Sequence, residues 1–388
     1  MILALRALGA GDLARAAPAL RALRAAFPGE TLAVAAPARL APLAAAIGGI
    51  DRIVPAGELE PLDAAPAMPR IAVNLHGSGP GSHRRLQALR PGELWAFASR
   101  PAGHHDGPGW HDEEHEVRRW CRLIRYYGVP CDESDLDLSL PATQGSSAAR
   151  GIAATQGSSD TQGSSVTRGI PATQGSPVAR RSDVPDTGRP GASPVMPDVS
   201  GRGADAAEPS RHGPGSDISS LPERPVLLYP GAPSPGRRWP LGRFATVADR
   251  LRRDGHHVLI TGSPADRDLC TQVAVAARFD PDTIHCPDLE DLLSLVARAA
   301  LVISGDAGTA ALAVGFRTPS VTLYGPISPA LCGPPPDRQF HRTLWHGTRN
   351  DRGDLPGPPH PALLKITEDE VLTEAAAALS ARPVAATP

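Results

Sequence analysis

LVISGDAGTAALAVGFRTPSVTLYGP, residues 301–326, decides how this chain folds. Leu301–Ser304 reads as a buried strand. Gly305-Asp306-Ala307-Gly308 follows, then a helix of small residues, then a second strand, Ser320–Tyr324, closing on Gly325-Pro326. A strand that stops at a glycine turn and opens a helix aims backbone N–H groups and a positive helix end at one point, a ready site for an anion. A similar strand–turn element lies upstream: Tyr229-Pro230-Gly231-Ala232, followed by Arg237-Arg238-Trp239. Together they imply an α/β domain built to hold a nucleotide diphosphate.

The same alternation runs outward from there. In the first part, Ile2–Ala7, Thr31–Ala35, Ile71–Leu75 and Leu94–Ala98 read as strands. A helix after Gly9-Ala10-Gly11-Asp12 carries Leu13, Ala16, Leu20, Leu23 and Phe27 on one face, stopped by Pro28-Gly29. Leu40–Ile47 and Glu114–Tyr127 read as further helices. From residue 222 on, strands are expected at Val226–Tyr229 and His257–Thr261, and helices at Asp266–Ala277 and Leu289–Ala299. A final helix, Thr367–Leu379, has Thr367 and Glu370 spaced as a capping box. Apolar runs alternating with amphipathic helices imply parallel sheets covered on both faces.

Between these parts the composition changes. TQGSS occurs at Thr143–Ser147, Thr155–Ser159 and Thr161–Ser165, and TQGSP at Thr173–Pro177. Large apolar residues are almost absent, so the stretch cannot offset its own ordering entropy. The expected organisation is an N-terminal lobe (1–141), a disordered repeat linker (142–221), a C-terminal lobe (222–365), and a terminal helix and tail (366–388).

At 388 residues there is room for two domains with their own cores. A net charge of −2 gives no basic field to recruit nucleic acid. Lys365 is the sole lysine, so the choice of arginine elsewhere reflects a coding bias and weakens any argument from arginine identity alone. Five cysteines without C-x-x-C argue against a disulfide framework or zinc knuckle and fit a reducing cytoplasm. Arg6 interrupts the first apolar run, which therefore reads as a strand and not a leader peptide. No run is long enough to span a bilayer, which leaves peripheral contact with the inner membrane face open.

Three turns carry the candidate chemistry. Asp12 stands where the first strand gives way to a helix. It can cap that helix, or it can take a proton from an acceptor hydroxyl at the cleft rim. In the loop Tyr229–Trp239, Gly231 opens the turn and Arg237 and Arg238 can clamp a diphosphate, or form a solvated pair. Trp239-Pro240 reads as packing for a helix start. Asp306 can cap a helix or meet sugar hydroxyls, with the amides of Gly308, Thr309 and Ala310 facing phosphate. The His- and acid-rich stretch His104–Glu116 contains Gly107-Pro108-Gly109 and reads as dipole partners for a helix start, not a metal site.

In order and spacing these residues resemble glycosyltransferase family 9, which includes the lipopolysaccharide heptosyltransferases. The resemblance rests on Gly9-x-Gly11-Asp12-Leu13, on Tyr229-Pro230-Gly231-Ala232 with Arg238-Trp239-Pro240, and on the run from Asp306 to Pro326. Asn74-Leu75-His76-Gly77 and His115-Glu116 with Trp120-Cys121 support it. It implies a GT-B fold: two Rossmann-like lobes whose parallel sheets face a cleft, with the C-terminal helix crossing back to the N-lobe. It also implies inverting sugar transfer with no metal or cofactor, from a nucleotide-diphosphate sugar to a glycan or glycolipid hydroxyl.

Carried over residue by residue, Asp12 matches the base. Gly231, Arg237, Arg238, Asp306, Gly308, Thr309 and Ala310 fall on the donor side, and Gly11, Asn74, His76 and Gly77 on the acceptor side. The family pattern writes D-[ST]-G-x-x-H, whereas this chain has Ala307 and Ala311 at the hydroxyl and histidine positions. That departure keeps two rivals in view: a non-catalytic nucleotide-sugar binder, and another two-lobed enzyme such as a sugar-nucleotide epimerase.

Overall fold

A computed structural model describes residues 1–58, 60–141, 221–349, 351 and 357–381. The expected linker, apart from its last residue Leu221, lies outside these described residues.

The first lobe is a five-stranded parallel sheet. Its strands are β1 (Ile2–Leu5), β2 (Leu32–Ala36), β3 (Arg52–Pro55), β4 (Ile71–Asn74) and β5 (Glu93–Trp95), in the order β3-β2-β1-β4-β5. Helices α1 (Ala10–Arg15), α2 (Ala17–Ala26), α3 (Ala41–Ile47), α4 (Pro80–Ala88) and α5 (Glu116–Tyr126) connect and cover it. β1 feeds β2 on one side, and β4 returns to its other side. Strand order thus reverses between β1 and β4, and in open α/β sheets the crevice at such a reversal is where ligands bind.

The second lobe repeats this logic. Strands β6 (Val226–Tyr229), β7 (Val258–Thr261), β8 (Ile284–His285), β9 (Leu301–Gly305), β10 (Ser320–Tyr324) and β11 (His341–Trp345) are parallel and ordered β11-β10-β9-β6-β7-β8. The reversal falls between β6 and β9, in register at Tyr229 and Ser304. Helices α6 (Leu241–Arg253), α7 (Arg267–Ala277), α8 (Leu289–Arg298), α9 (Gly308–Gly315), α10 (Pro329–Cys332), α11 (Pro361–Lys365) and α12 (Glu368–Ser380) complete it. All four strands adjoining the two reversals are buried or nearly so along their length, as central parallel strands must be.

One apolar cluster spans both lobes: Leu13, Ala14, Leu43 and Ile47 join Leu292, Val296, Leu312 and Ala313. Trp239 packs edge-on against Phe244, with centroids 5.0 Å apart, and its Nε1–H donates to the Ile366 carbonyl at 3.2 Å. Among the described residues no helix is long and apolar enough to cross a membrane.

The final helix does not return to the first lobe as expected. α12, opened by the Thr367–Glu370 capping box, buries Val371, Ala375 and Ala378 in the cluster that holds Phe244, Ile303 and Leu323 of the second lobe. The spacing of those three small or branched residues makes a flat stripe that fits a sheet and its flanking helix. Residues 131–139 cross between the lobes instead. The Leu138 amide donates to the Gly315 carbonyl at 2.7 Å, and the Ser139 amide to the Ala46 carbonyl at 3.1 Å. Arg338 of the second lobe donates to Asp137 at 2.7 Å. Gly315 is needed there, because a Cβ would come within 2.5 Å of the Leu138 side chain.

The second lobe carries an acid sensitivity of its own. His341 is buried, and its Nδ1 lies 2.9 Å from Ser320 Oγ. Burial first, and then the charges of Arg338 and Arg317, push it down from 6.5 to about 3. A folded-state pKa below the unfolded one means that this contribution is complete above pH 6.5 and is lost as pH falls toward 3. The slope is about 1.4 kcal/mol per pH unit for one such group. Urea midpoints measured at pH 7, 5 and 4 should fall steadily, and His341→Gln should flatten the dependence; equal slopes for the two proteins would remove His341 as a cause.

Candidate active site

Each sheet reversal delivers a carboxylate held by arginine: Asp12 by Arg6, and Asp306 by Arg237 and Arg15. After β1 the chain turns at Gly9, the N-cap of α1, in extended backbone. Asp12 is therefore the third residue of the helix and not its cap. Its carboxylate reaches back to the Gly9 amide at 3.1 Å and accepts from Arg6 Nη2 at 3.3 Å. The Asp12 side chain remains 37% exposed while Arg6 is 2% exposed, so Asp12 is the reachable member of the pair.

Arg6 is fixed from several sides. It donates to the Leu75 carbonyl at 2.6 Å and the Asp12 carbonyl at 3.1 Å, and it pairs with Glu116 from the start of α5. The Trp120 ring lies under it at 4.7 Å. A buried guanidinium needs this many partners to offset its desolvation.

After β9, Ala307 is the N-cap of α9 and offers no side-chain cap. Asp306, one residue earlier, is also not a cap. Its carboxylate pairs with Arg237 and faces Arg15 Nη2 at 3.8 Å, and its carbonyl accepts from Arg237 at 3.0 Å. Arg15 comes from α1 and also lies 3.6 Å from Glu116, so it spans a carboxylate of each lobe. Burial pulls the Arg15 guanidinium down. The facing Cys332, Glu116, Asp306 and Asp12 outweigh that, and the net shift is upward. The Cys332 thiol and the Tyr324 hydroxyl, buried on the same side, are both pushed up, first by burial and then by neighbouring charge.

The two helices meet at their first turns. A Cβ on Gly11 would stand 2.9 Å from Gly308 Cα, and one on Gly308 would stand 3.2 Å from the Gly11 amide nitrogen. A cavity of about 20 Å³, bordered by Arg15, Ala310, Ala311, Tyr324 and Cys332, is the space left beside this contact. It has room for about one water molecule. His115, the N-cap of α5, adds another contact between lobes. Its Nδ1 accepts from the Val117 amide at 3.3 Å, which leaves Nε2–H to donate to the Gly333 carbonyl at 3.0 Å. Burial, chiefly, holds its pKa below the ordinary histidine value, so the neutral form that makes both contacts is favoured.

The other candidate residues divide. Gly231 packs against Asp266: a Cβ there would lie 2.7 Å from the carboxylate carbon of Asp266, whose Oδ2 accepts from Tyr229 Oη at 3.0 Å and Ser263 Oγ at 2.6 Å. Arg238 is half-buried, with Nε enclosed and without a hydrogen-bond partner among the described residues. The Ala310 amide is not available to a phosphate, because it already donates to the Ala307 carbonyl at 3.1 Å. On the first lobe, Gly11 is buried against Gly308, so it is a contact between lobes and not an open acceptor surface. Asn74 is fully buried: its amide meets Ser82 Oγ at 3.0 Å and His83 Nδ1 at 3.1 Å, and its Oδ1 accepts from the His76 amide at 3.1 Å. It therefore shapes the His76–Gly77 turn from below and cannot touch an acceptor. Arg6, Arg15 and Glu116 were not among the candidate site residues read from the sequence. The available signal was Arg6, an arginine inside an apolar strand, which demands a buried partner.

Comparison with known proteins bears on this geometry. Residues 197–352 match the family model for glycosyltransferase family 9 (heptosyltransferase). Over 177 residues the chain is 30% identical to lipopolysaccharide heptosyltransferase 2 of Salmonella typhimurium, covering 42% of this chain and 49% of that protein. Over 161 residues it is 29% identical to lipooligosaccharide heptosyltransferase 2 of Haemophilus influenzae, covering 39% and 46%. The matched region thus spans about half the length of these curated relatives. The fold likeness runs further. The structure of the Escherichia coli ADP-heptose LPS heptosyltransferase II superposes with a TM-score of 0.62 at 19% identity, over 98% of each chain. A family 9 glycosyl transferase from Veillonella parvula gives 0.64 at 17% identity, over 98% of this chain and 97% of that one. At such identities the likeness establishes the two-lobed GT-B fold. A family 9 sequence match thus runs through residues 197–352, and the two-lobed GT-B fold through the described residues of both lobes.

Proposed function

We propose that the protein is an inverting glycosyltransferase that moves a sugar from a nucleotide-diphosphate donor to a glycan or glycolipid hydroxyl without a metal. The observation that supports this most is the convergence of Asp12 and the Asp306–Gly308 turn, each at a strand-order reversal, with Gly11 against Gly308. Asp12 would take the proton of the acceptor hydroxyl, which attacks the anomeric carbon from the face opposite the leaving diphosphate. Arg238, with its enclosed and unpartnered Nε, suits the diphosphate, together with the Gly308 and Thr309 end of α9. Arg237, bound to Asp306, would set that carboxylate for the donor's sugar or ribose hydroxyls.

Closure of the lobes over bound donor and acceptor would exclude water, which favours transfer over hydrolysis. Gly11→Ala should therefore lower transfer about tenfold through misplacement. It should change stability by less than about 1 kcal/mol, since alanine favours the helix and the lobes can part to relieve the clash. Rates and melting midpoints measured together check this; a full-speed variant would show that the contact of α1 with α9 is not needed for turnover.

A second reading, a nucleotide-sugar binder without turnover, is favoured by Ala307 and Ala311. Thermal unfolding with ADP, GDP, UDP, CDP and dTDP is the first test. ADP leads the panel because a structural neighbour, the Escherichia coli heptosyltransferase WaaC (TM-score 0.54), was solved with ADP. Ligand at a hundred times its Kd should add about 2.7 kcal/mol. A shift with one nucleotide names the donor class, and release of that nucleotide only when acceptor is added distinguishes enzyme from binder. No shift with any of them defeats both readings.

A further inference from the structure

Four of the five cysteines form two pairs, one in each lobe. Cys121 on α5 and Cys131, which opens the crossing segment, hold their Sγ atoms 2.8 Å apart with both thiols reduced. Cys270 on α7 and Cys286 after β8 are neighbours. Cys332 stands apart, beside Asp306.

The first pair has features of a reactive dithiol. A separation of 2.8 Å is shorter than ordinary sulfur–sulfur contact and only about 0.8 Å longer than a disulfide bond. The two sulfurs are not equivalent. Cys121 is fully buried on a helix face, whereas Cys131 retains 8% exposure. Cys131 Sγ donates to Cys121 Sγ in that contact, and the Arg125 guanidinium nearby favours a thiolate at Cys131. Arg125 is anchored there by donating through Nε to the Cys131 carbonyl at 3.0 Å. A thiol beside a guanidinium, with an adjacent resolving thiol, is the arrangement that peroxides oxidise reversibly.

We infer that Cys121 and Cys131 form a redox site, with Cys131 as the peroxide-reactive thiol and Cys121 as the resolving one. The Cys131 thiolate attacks one oxygen of hydrogen peroxide, and the O–O bond breaks. Cys131 becomes a sulfenic acid and the leaving hydroxide takes a proton to become water. The Cys121 thiol, giving up its proton, then attacks the sulfenic sulfur; the S–O bond breaks, a disulfide forms and a second water leaves. One peroxide and two thiols thus give one disulfide and two waters.

The bridge would tie the start of the crossing segment, whose Leu138 holds Gly315, to the helix that presents Glu116 to Arg6 and Arg15. The inference is independent of what the site transfers.

The test uses the full chain, reduced, freed of reductant and treated with equimolar peroxide, then alkylated in denaturant and mapped by mass spectrometry. The five thiols should fall to three, or to one if Cys270 and Cys286 also close. A Cys121–Cys131 cross-linked peptide should be recovered, and dithiothreitol should restore five thiols. Cys121→Ser should leave a sulfenic acid at Cys131 that dimedone captures, and Cys131→Ser should leave Cys121 alkylatable. Five surviving thiols in the wild type would overturn the assignment. So would irreversible oxidation of Cys131 without the cross-link, or a link that forms only after unfolding.

Discussion

Asp12→Asn should lower sugar transfer about 10²–10⁴-fold while nucleotide affinity stays near the wild-type value. Asparagine keeps the shape of the side chain and an oxygen for the Gly9 amide, which the carboxylate now meets at 3.1 Å. Helix α1 and its turn should therefore survive. What disappears is the basic lone pair at the more exposed end of a pair whose other member, Arg6, is sealed in the core. The measurement pairs initial rates of nucleotide release, with donor and acceptor both saturating, with nucleotide-dependent melting shifts. Full turnover in the variant would remove Asp12 as the base. Loss of turnover together with loss of nucleotide binding would instead mean that Asp12 holds the lobes in place.

The strands and turns that carry this prediction were legible because they depend on short stretches of chain. Gly9 to Asp12 and Gly305 to Gly308 announce themselves as glycine turns after apolar runs, and both lie at sheet reversals. Elements without an apolar signature were not legible. β11 reads His341-Arg342-Thr343-Leu344-Trp345 and is an edge strand, so only its start is buried. α4 buries just Ser82, His83 and Leu86, and its glycine-rich approach resembles a phosphate loop. The pairing of Arg6 with Glu116 joins residues 110 apart in the chain, and Arg237 meets Asp306 across 69; no local pattern encodes either. Asn74 shows the converse error. It sits at the right strand end, but its amide is consumed by Ser82 and His83 below the surface. The direction of α12 was misjudged for a related reason: the stripe of Val371, Ala375 and Ala378 shows that a face is buried, not which sheet covers it.

Asp306→Ala should be the most destabilising single change at the site, about 3 kcal/mol, because it breaks a largely buried ion pair from one side only. The Asp306 carboxylate is 5% exposed and faces Arg237 and Arg15, whose side chains are 15% and 14% exposed. Without it two guanidinium groups are left close together, and water cannot reach them well enough to solvate both. Glu116 still faces Arg15 at 3.6 Å, so that arginine keeps one partner. Arg237 loses the carboxylate and the neighbouring geometry that brings the Asp306 carbonyl to 3.0 Å. Since it anchors the turn between β6 and α6, a shift there would reach Arg238 beside it. The variant should thus show a melting midpoint lower by several degrees and weakened nucleotide binding together. Replacing both charges, as in Asp306→Asn with Arg237→Gln, should recover part of the stability, because a neutral hydrogen-bonded pair carries no uncompensated charge. Chemical denaturation of the wild type, both single variants and the double variant measures the coupling directly. Strictly additive effects would mean that the ion pair contributes nothing beyond its separate residues, and Asp306 would then have to be explained by its contact with ligand alone.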